Sequence, residues 1–136
     1  MSEGNKFTFC AQERVKGKKR IDALFSQGRS FISYPFRVSY HLFPYSAEVS
    51  ASILVSIPKK RFKKAVDRNR LKRLTREAYR LNKKLLQVDL LPDDYCIDIG
   101  FIYVNNEPIS FDEVQQAVCK ALKRINRELD EKKVLK

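Results

Sequence analysis

The sequence has little of the chemistry on which most enzymes rely. Its 136 residues contain one histidine, His41, no tryptophan and only four glycines. A single histidine cannot supply a histidine metal triad, and the glycines form neither a GxGxxG nor a Walker-type loop. Catalysis by the protein's own side chains and a phosphate-cradling nucleotide site are both poorly supported, and we predict no catalytic residue and no metal site in the protein itself.

Cysteines and long apolar runs are also scarce. The three cysteines, Cys10, Cys96 and Cys119, are an odd number at wide spacing with no CxxC pair, which argues against a disulfide framework and a zinc cluster. No apolar run approaches the ~18 residues of a membrane span, and no signal-peptide core lies near the start. We expect a cytoplasmic protein with no membrane partner and no small-molecule substrate.

What the sequence does have is positive charge in one place. The net charge is +12, and residues 59–84 carry 13 basic and 2 acidic side chains, which is +11 of that total. Residues 85–136 carry 7 basic and 10 acidic side chains. Such a concentrated field suits a polyanion, so nucleic acid is the leading partner and an anionic membrane surface the second.

Periodicity predicts an α+β fold of one domain over residues 1–136. Residues 18–27 have helical spacing before Gly28, residues 36–43 alternate as a strand, and residues 49–57 read as a second strand that returns in an antiparallel hairpin. A long helix over 65–87, an alternating strand over 95–104 and a helix capped by Ser110 and Glu113 follow. The strand–helix–strand order implies one parallel pair in a mixed sheet. We expect residues 1–11 and 130–136 to be flexible.

The basic stretch forms an amphipathic helix on a helical wheel. Leu74, Ala78, Leu81 and Leu85 fall on one face, and the opposite face carries basic residues one turn apart. Arg70 lies close to the apolar face on this wheel, so a bracing role at the start of the helix is its alternative. A helix whose basic face is merely solvated is disfavoured, because solvated helices usually interleave acidic with basic residues. A membrane-surface or calmodulin-binding helix is also disfavoured, because the polar face has no flanking tryptophan.

The sequence of this helix resembles the signature motif of a known family. Residues 64–80 read KAVDRNRLKRLTREAYR, which is similar to the signature helix AVxRNRxKRxxRExxR of the bacterial ribonuclease P protein subunit. The helix before Gly28 and the strand that runs into Pro58 also agree in order, so the resemblance covers about residues 12–126.

The resemblance implies a fold like the second domain of ribosomal protein S5, with about four strands in the order αβββαβα and a left-handed crossover that carries the signature helix. It also implies a protein cofactor of a ribonucleoprotein endoribonuclease. In that family the RNA subunit, with bound Mg²⁺, cleaves precursor tRNA to form the mature 5′ end, and the protein contacts this RNA and the 5′ leader.

The resemblance also assigns residues. Matches to the signature helix and to the basic strand–helix junction make the following residues candidates for RNA contact: Lys59, Lys60, Arg61, Lys64, Arg68, Asn69, Arg70, Lys72, Arg73, Arg76 and Arg80. Four aromatic residues are candidates for stacking on the leader bases, namely Phe25, Phe31, Phe36 and Tyr40. Core packing is the alternative for each of these aromatics, because strand aromatics are usually buried.

Two other functions stay open on the sequence. One is a ribosomal or general RNA-binding protein with an S5-like fold and no catalytic partner. The other is a nuclease in its own right, with Asp93, Asp94 and Asp98 as metal ligands. The simpler interpretation of these three aspartates is a polar turn and a strand edge.

Overall fold

The computed structural model describes residue 15 and residues 17–44, 50–92 and 95–135 of the chain. These residues form an α+β fold in the predicted order αβββαβα. The elements are α1 (Lys18–Gln27), β1 (Arg29–Ser33), β2 (Phe36–Pro44), β3 (Ala51–Ser56), α2 (Ala65–Asn82), β4 (Tyr95–Tyr103) and α3 (Phe111–Leu135), with two 3₁₀ turns, Lys83–Leu85 and Val88–Leu90, before β4. No helix in these ranges is long and apolar enough to cross a membrane.

The four strands form one mixed sheet in the order β1-β2-β4-β3. β2 is antiparallel to β1 and to β4, and β3 runs parallel to β4, so α2 is the crossover of the expected parallel pair. The predicted hairpin between strands 36–43 and 49–57 is wrong, because β4 lies between β2 and β3. Residues 96–101 of β4 are buried on both faces, which is typical of a central strand, and β2 makes its hairpin with β1 instead.

The sheet carries helices on both faces. On one face α2 and α3 cover the main core, where Phe36 lies edge-on to Phe101 and Tyr103 at centroid distances of 5.7 and 5.6 Å. On the other face α1 inserts Leu24, which is fully buried, above Gly100 of β4. A Cβ at position 100 would lie 3.1 Å from Leu24 Cδ2, so the glycine lets α1 approach the sheet.

Local signals place the end of α1 and the start of α3 correctly. The expected α1 is confirmed, and Gly28 ends it where a Cβ would lie 2.3 Å from the Leu24 carbonyl oxygen and 2.6 Å from that of Tyr40. The capping box of α3 is also confirmed, since the Glu113 amide donates to Ser110 Oγ over 3.2 Å and the Ser110 amide donates to Glu113 Oε1 over 3.3 Å. α3 continues to Leu135, across most of the tail expected to be flexible, whereas α2 ends five residues before the predicted position.

Neither of the two cysteines that the structure describes is in a disulfide. Cys96 is buried in β4 and Cys119 is half-buried in α3, while Cys10 lies outside the described residues. Burial raises the pKa of both thiols, which keeps them protonated near neutral pH.

Candidate nucleic-acid interface

The buried face of α2 is rotated from the predicted one. Its buried residues are Leu71, Thr75, Ala78 and Tyr79, whereas Leu81 is 41% exposed. Taking about 100° per residue, the centre of this face lies roughly 75° from the centre of the predicted leucine face. The wheel failed because α2 packs against both the sheet and α3, and because the Thr75 hydroxyl can be buried by donating to the Leu71 carbonyl oxygen over 2.8 Å.

The rotation places the middle of the signature helix in solvent. Asn69, Arg70 and Arg73 are exposed, and none of their side chains makes a hydrogen bond or an ion pair with a residue that the structure describes. Lys72 and Arg76 flank them and are half-buried. The side chains that face solvent are thus an amide and two guanidinium groups, which can donate to phosphate oxygens, sugar hydroxyls and base edges.

The bracing role considered for Arg70 belongs to Arg68. Its Nη1 atom donates to the carbonyl oxygens of Phe62 and Lys63, over 2.8 and 2.9 Å, and so ties the loop before α2 to the first turn of the helix. Arg70 is exposed. Arg68 therefore has a structural role, and its half-buried guanidinium group is also partly accessible to a ligand.

A tight turn carries the basic residues between β3 and α2. The amides of Arg61 and Phe62 both donate to the Pro58 carbonyl oxygen, over 3.1 and 3.3 Å, and the buried Phe62 ring packs against Tyr103 at 5.7 Å. The turn is thereby anchored to the core. Lys59, Lys60 and, at the N-cap of α2, Lys64 are exposed on it.

Two further predicted RNA-contact residues, Arg61 and Arg80, also have partners within the protein. Arg61 is half-buried and donates from Nη1 to Asn106 Oδ1 over 2.9 Å, while its Nε atom is buried without a partner among the described residues. Arg80 donates to the Glu77 carboxylate through Nε at 3.0 Å and Nη2 at 2.5 Å. This hydrogen bonding lowers the pKa of Glu77. Both guanidinium groups must exchange or share these partners to bind phosphate.

Three of the four aromatic candidates belong to the core. Phe36 and Tyr40 are 0% and 1% exposed on the face of the sheet that α2 and α3 cover, and Phe31 is 7% exposed with the Arg124 guanidinium 4.4 Å from its ring centroid. A ring buried on this face cannot stack on an RNA base, so the core alternative describes these three residues. Phe25 differs, because it is 42% exposed on α1, with its ring edge next to Gly100.

A partly buried ion pair holds α1 on the sheet beside Phe25. Arg20 donates to both carboxylate oxygens of Asp98 in β4, through Nε at 2.8 Å and Nη2 at 2.6 Å, and its guanidinium lies 5.2 Å from the Phe43 ring centroid. The two partners are 78 residues apart, and nothing in the sequence pattern signals the pairing. Asp98, 1% exposed, is thereby occupied, which argues against its proposed role as a metal ligand.

The described residues contain no group of three or more histidine, cysteine, aspartate or glutamate side chains that could hold a metal ion. Asp93 and Asp94, the other two candidate ligands of the nuclease hypothesis, lie outside the described residues. The surface described here carries positive charge and hydrogen-bond donors on α2 and on the junction before it, an arrangement that suits a polyanion.

Comparisons with known proteins agree with this surface. The model of the Ribonuclease P family matches residues 9–126. A curated ribonuclease P protein component from Porphyromonas gingivalis is 43% identical over 119 residues, which cover 88% of this chain and 87% of the relative. A second, from Chlorobaculum tepidum, is 36% identical over 103 residues, covering 67% of this chain and 64% of the relative.

Solved structures agree in fold. The ribonuclease P protein from Thermotoga maritima superposes with a TM-score of 0.60 at 27% identity, covering 82% of this chain and 96% of that one. The protein from Staphylococcus aureus does so with a TM-score of 0.62, covering 83% of this chain and 94% of that one, and at 21% identity this likeness supports the fold alone. With the family model, the relatives and the exposed signature helix in agreement, the chain belongs to the ribonuclease P protein family.

Proposed function

We propose that this ribonuclease P subunit binds the catalytic RNA through the exposed side of α2 and the junction before it, and the 5′ leader of precursor tRNA through the surface beside Phe25. The observation that carries the proposal is the exposure of Asn69, Arg70 and Arg73 without partners among the described residues. Surface cations that no acidic group neutralises repel one another, and a polyanion that binds them removes this repulsion and releases its own condensed counterions.

The members of this surface divide by what they offer. Lys59, Lys60, Lys64 and Arg73 are exposed and supply charge to the phosphate backbone. Asn69 is uncharged and can both donate and accept, which suits a sugar hydroxyl or a base edge. Arg68, Arg61 and Arg80 are also held by partners within the protein, so they position the surface and contribute less to its charge.

Phe25 supplies the aromatic element of the leader contact. Its partly exposed ring is fixed to the sheet through the Arg20–Asp98 pair and the close approach that Gly100 permits. Stacking on one exposed ring stabilises a single-stranded base by ~1–3 kcal/mol and tolerates any base, because every base has a π-face. A leader contact of this kind favours precursor tRNA over mature tRNA without strict sequence preference.

The chemistry is assigned to the RNA. Mg²⁺ would be held mainly by the RNA subunit, and in the protein the buried carboxylate of Asp98 is already engaged by Arg20. The protein would then contribute binding and positioning, with no catalytic residue of its own, in the cytoplasm where tRNA is processed.

The test measures substrate affinity in the presence of a bacterial ribonuclease P RNA. We expect the full-length protein to raise the affinity of the RNA for precursor tRNA by more than its affinity for mature tRNA, and Phe25→Ala to reduce this difference by about tenfold. Phe25→Tyr keeps the ring and is the matched control. Equal effects on precursor and mature tRNA would favour the alternative of a general RNA-binding protein that ignores the leader.

A further inference from the structure

A second cluster of positive charge lies on α3. Residues 120–127 contain four basic side chains and no acidic one, although residues 85–136 as a whole are net acidic. Lys120, Lys123, Arg124 and Arg127 follow the spacing i, i+3, i+4, i+7, so they share one face of the helix. The stripe extends about 10 Å along the helix axis, which is room for about three phosphate groups of an RNA backbone.

These four side chains line a groove of about 520 Å³ between α3 and the β1–β2 turn. The other wall is formed by residues 31–34, of which Ile32 and Tyr34 are 58% and 65% exposed. The Ser33 hydroxyl donates to the Ala117 carbonyl oxygen over 2.8 Å and fixes β1 to α3. The two walls of the groove are therefore fixed relative to one another, and one wall is basic while the other carries an exposed aromatic ring.

Only one of the four basic residues has a structural role. Arg124 donates from Nε to the Glu128 carboxylate over 2.9 Å and covers the Phe31 ring. Lys120, Lys123 and Arg127 are exposed, and their side chains form no hydrogen bond or ion pair with any residue in the described ranges. Like charges one turn apart slightly destabilise a helix, so this arrangement is the opposite of what a purely structural helix face needs.

The groove is separate from the α2 surface. It lies at β1, one edge of the sheet, whereas the basic junction leads out of β3 at the opposite edge, roughly 14 Å away across three strand spacings. The groove and the basic junction therefore lie at opposite edges of the sheet.

We propose that this groove binds a segment of single-stranded RNA, with backbone phosphates on Lys120, Lys123 and Arg127 and one base stacked on Tyr34. The combination of stepped cations with an exposed aromatic ring favours RNA over an acidic peptide, which has no base to stack on the ring. The inference rests on the proposed function for the identity of the RNA, and it adds a second RNA segment that the protein engages at the same time as the one on α2.

The experiment uses the full-length protein and a fluorescently labelled, unstructured RNA of 12 nucleotides that carries 4-thiouridine. Binding is followed by anisotropy over a range of salt concentrations, and crosslinks are mapped by mass spectrometry. We expect crosslinks to Tyr34 or to the peptide containing residues 120–127. Lys120→Ala/Lys123→Ala should lower affinity by about tenfold, reduce the magnitude of the salt slope by about 1.4, and abolish the groove crosslinks.

Two controls distinguish a loss of RNA binding caused by the groove residues from one caused by a lower net charge or by misfolding. Lys18→Ala/Lys19→Ala removes the same charge from an exposed turn of α1, on the other face of the sheet, and should leave the groove crosslinks in place. Tyr34→Ala should weaken binding with an unchanged salt slope, and Tyr34→Phe should restore it. All the substituted side chains are exposed, and circular dichroism verifies that each variant is folded.

The outcomes that overturn the inference are distinct from those that overturn the proposed function. Equal loss of affinity and crosslinks in both lysine pairs, wild-type binding by Lys120→Ala/Lys123→Ala, or groove-dependent binding of polyglutamate in place of RNA would each refute the groove as an RNA site. Failure of the wild-type protein to stimulate a catalytic RNA would refute the proposed function and leave the groove result standing.

Discussion

Arg20 on α1 and Asp98 on β4 form a two-point ion pair, with both carboxylate oxygens of a 1% exposed aspartate engaged by one guanidinium group. The pair fixes α1 against the sheet at the position where α1 presents Phe25. It also explains how an acidic residue can lie in the central strand of a strongly basic protein, because a buried carboxylate is tolerated when its charge is paired and its oxygens accept hydrogen bonds.

We predict that removing the cation of this pair is costly. Arg20→Ala leaves the Asp98 carboxylate buried and unpaired, and should lower the free energy of unfolding by about 3 kcal/mol in urea titrations, near the low end for such pairs because the Arg20 side chain is 35% exposed. Lys19→Ala, an exposed neighbour on the same helix, should change stability by less than about 0.5 kcal/mol. Equal effects of the two substitutions would contradict the role assigned to the pair.

A second prediction tests the rotated face of α2 with two leucines of one helix. Leu71 is 1% exposed and Leu81 is 41% exposed. Leu71→Ala should therefore cost ~2–5 kcal/mol of stability through a core cavity, and Leu81→Ala under about 1 kcal/mol. Thermal or urea unfolding of both variants measures the difference. A larger loss of stability for Leu81→Ala would contradict the rotated face and support the orientation that the leucines alone predict.

A third prediction concerns acid stability. Burial on its own would raise the pKa of Glu128, but hydrogen bonds from Tyr40 and Arg124 outweigh it and hold the pKa below its ordinary value of 4.5. Because the folded-state pKa is lowered, the stabilisation is present above the ordinary pKa and is lost as the pH falls through the lowered value. Wild type should exceed Glu128→Gln in stability at pH 7, and the gap should close in acid. A gap that stays constant down to pH 2 would contradict this.

A fourth prediction separates exposed from paired arginines on α2. Arg73→Ala should weaken binding to the catalytic RNA and reduce the magnitude of the salt slope by about one, without a change in melting temperature, because the side chain is exposed and has no partner in the described structure. Arg80→Ala should change the salt slope less, since Glu77 already engages that guanidinium. Filter binding at several salt concentrations compares the two, and a larger slope change for Arg80→Ala would reverse the assignment.

Local patterns predicted the elements of this fold better than their arrangement. The stop at Gly28 and the Ser110–Glu113 box depend on neighbouring residues, and both are where the sequence places them. The neighbours of β3 depend on β4, about 40 residues further on, and no local signal shows that β4 enters between β2 and β3. Pairing over such distances is decided by the packing of the whole sheet.

The candidate site divides in the same way. The sequence of α2 predicts Asn69 and Arg73 as RNA contacts, and both are exposed, but a wheel weighted by leucines could not show that Thr75 and Tyr79 face the core. Of the four aromatic candidates only Phe25 is exposed, and the burial of the other three could not be foreseen because alternation along a strand does not say which face the helices cover. The spacing of the basic residues in 120–127 could have predicted the stripe on α3, but counting charge over the whole of the net acidic segment 85–136 obscured it.

The central claim is that this protein assists a catalytic RNA. The most direct measurement is the rate of precursor tRNA cleavage by a bacterial ribonuclease P RNA at low Mg²⁺, with and without the protein. We predict stimulation by the wild-type protein, weaker stimulation by Asn69→Ala/Arg73→Ala, and no cleavage by the protein alone. A rate with the protein that does not exceed the rate of the RNA alone, or cleavage by the protein without RNA, would contradict the claim.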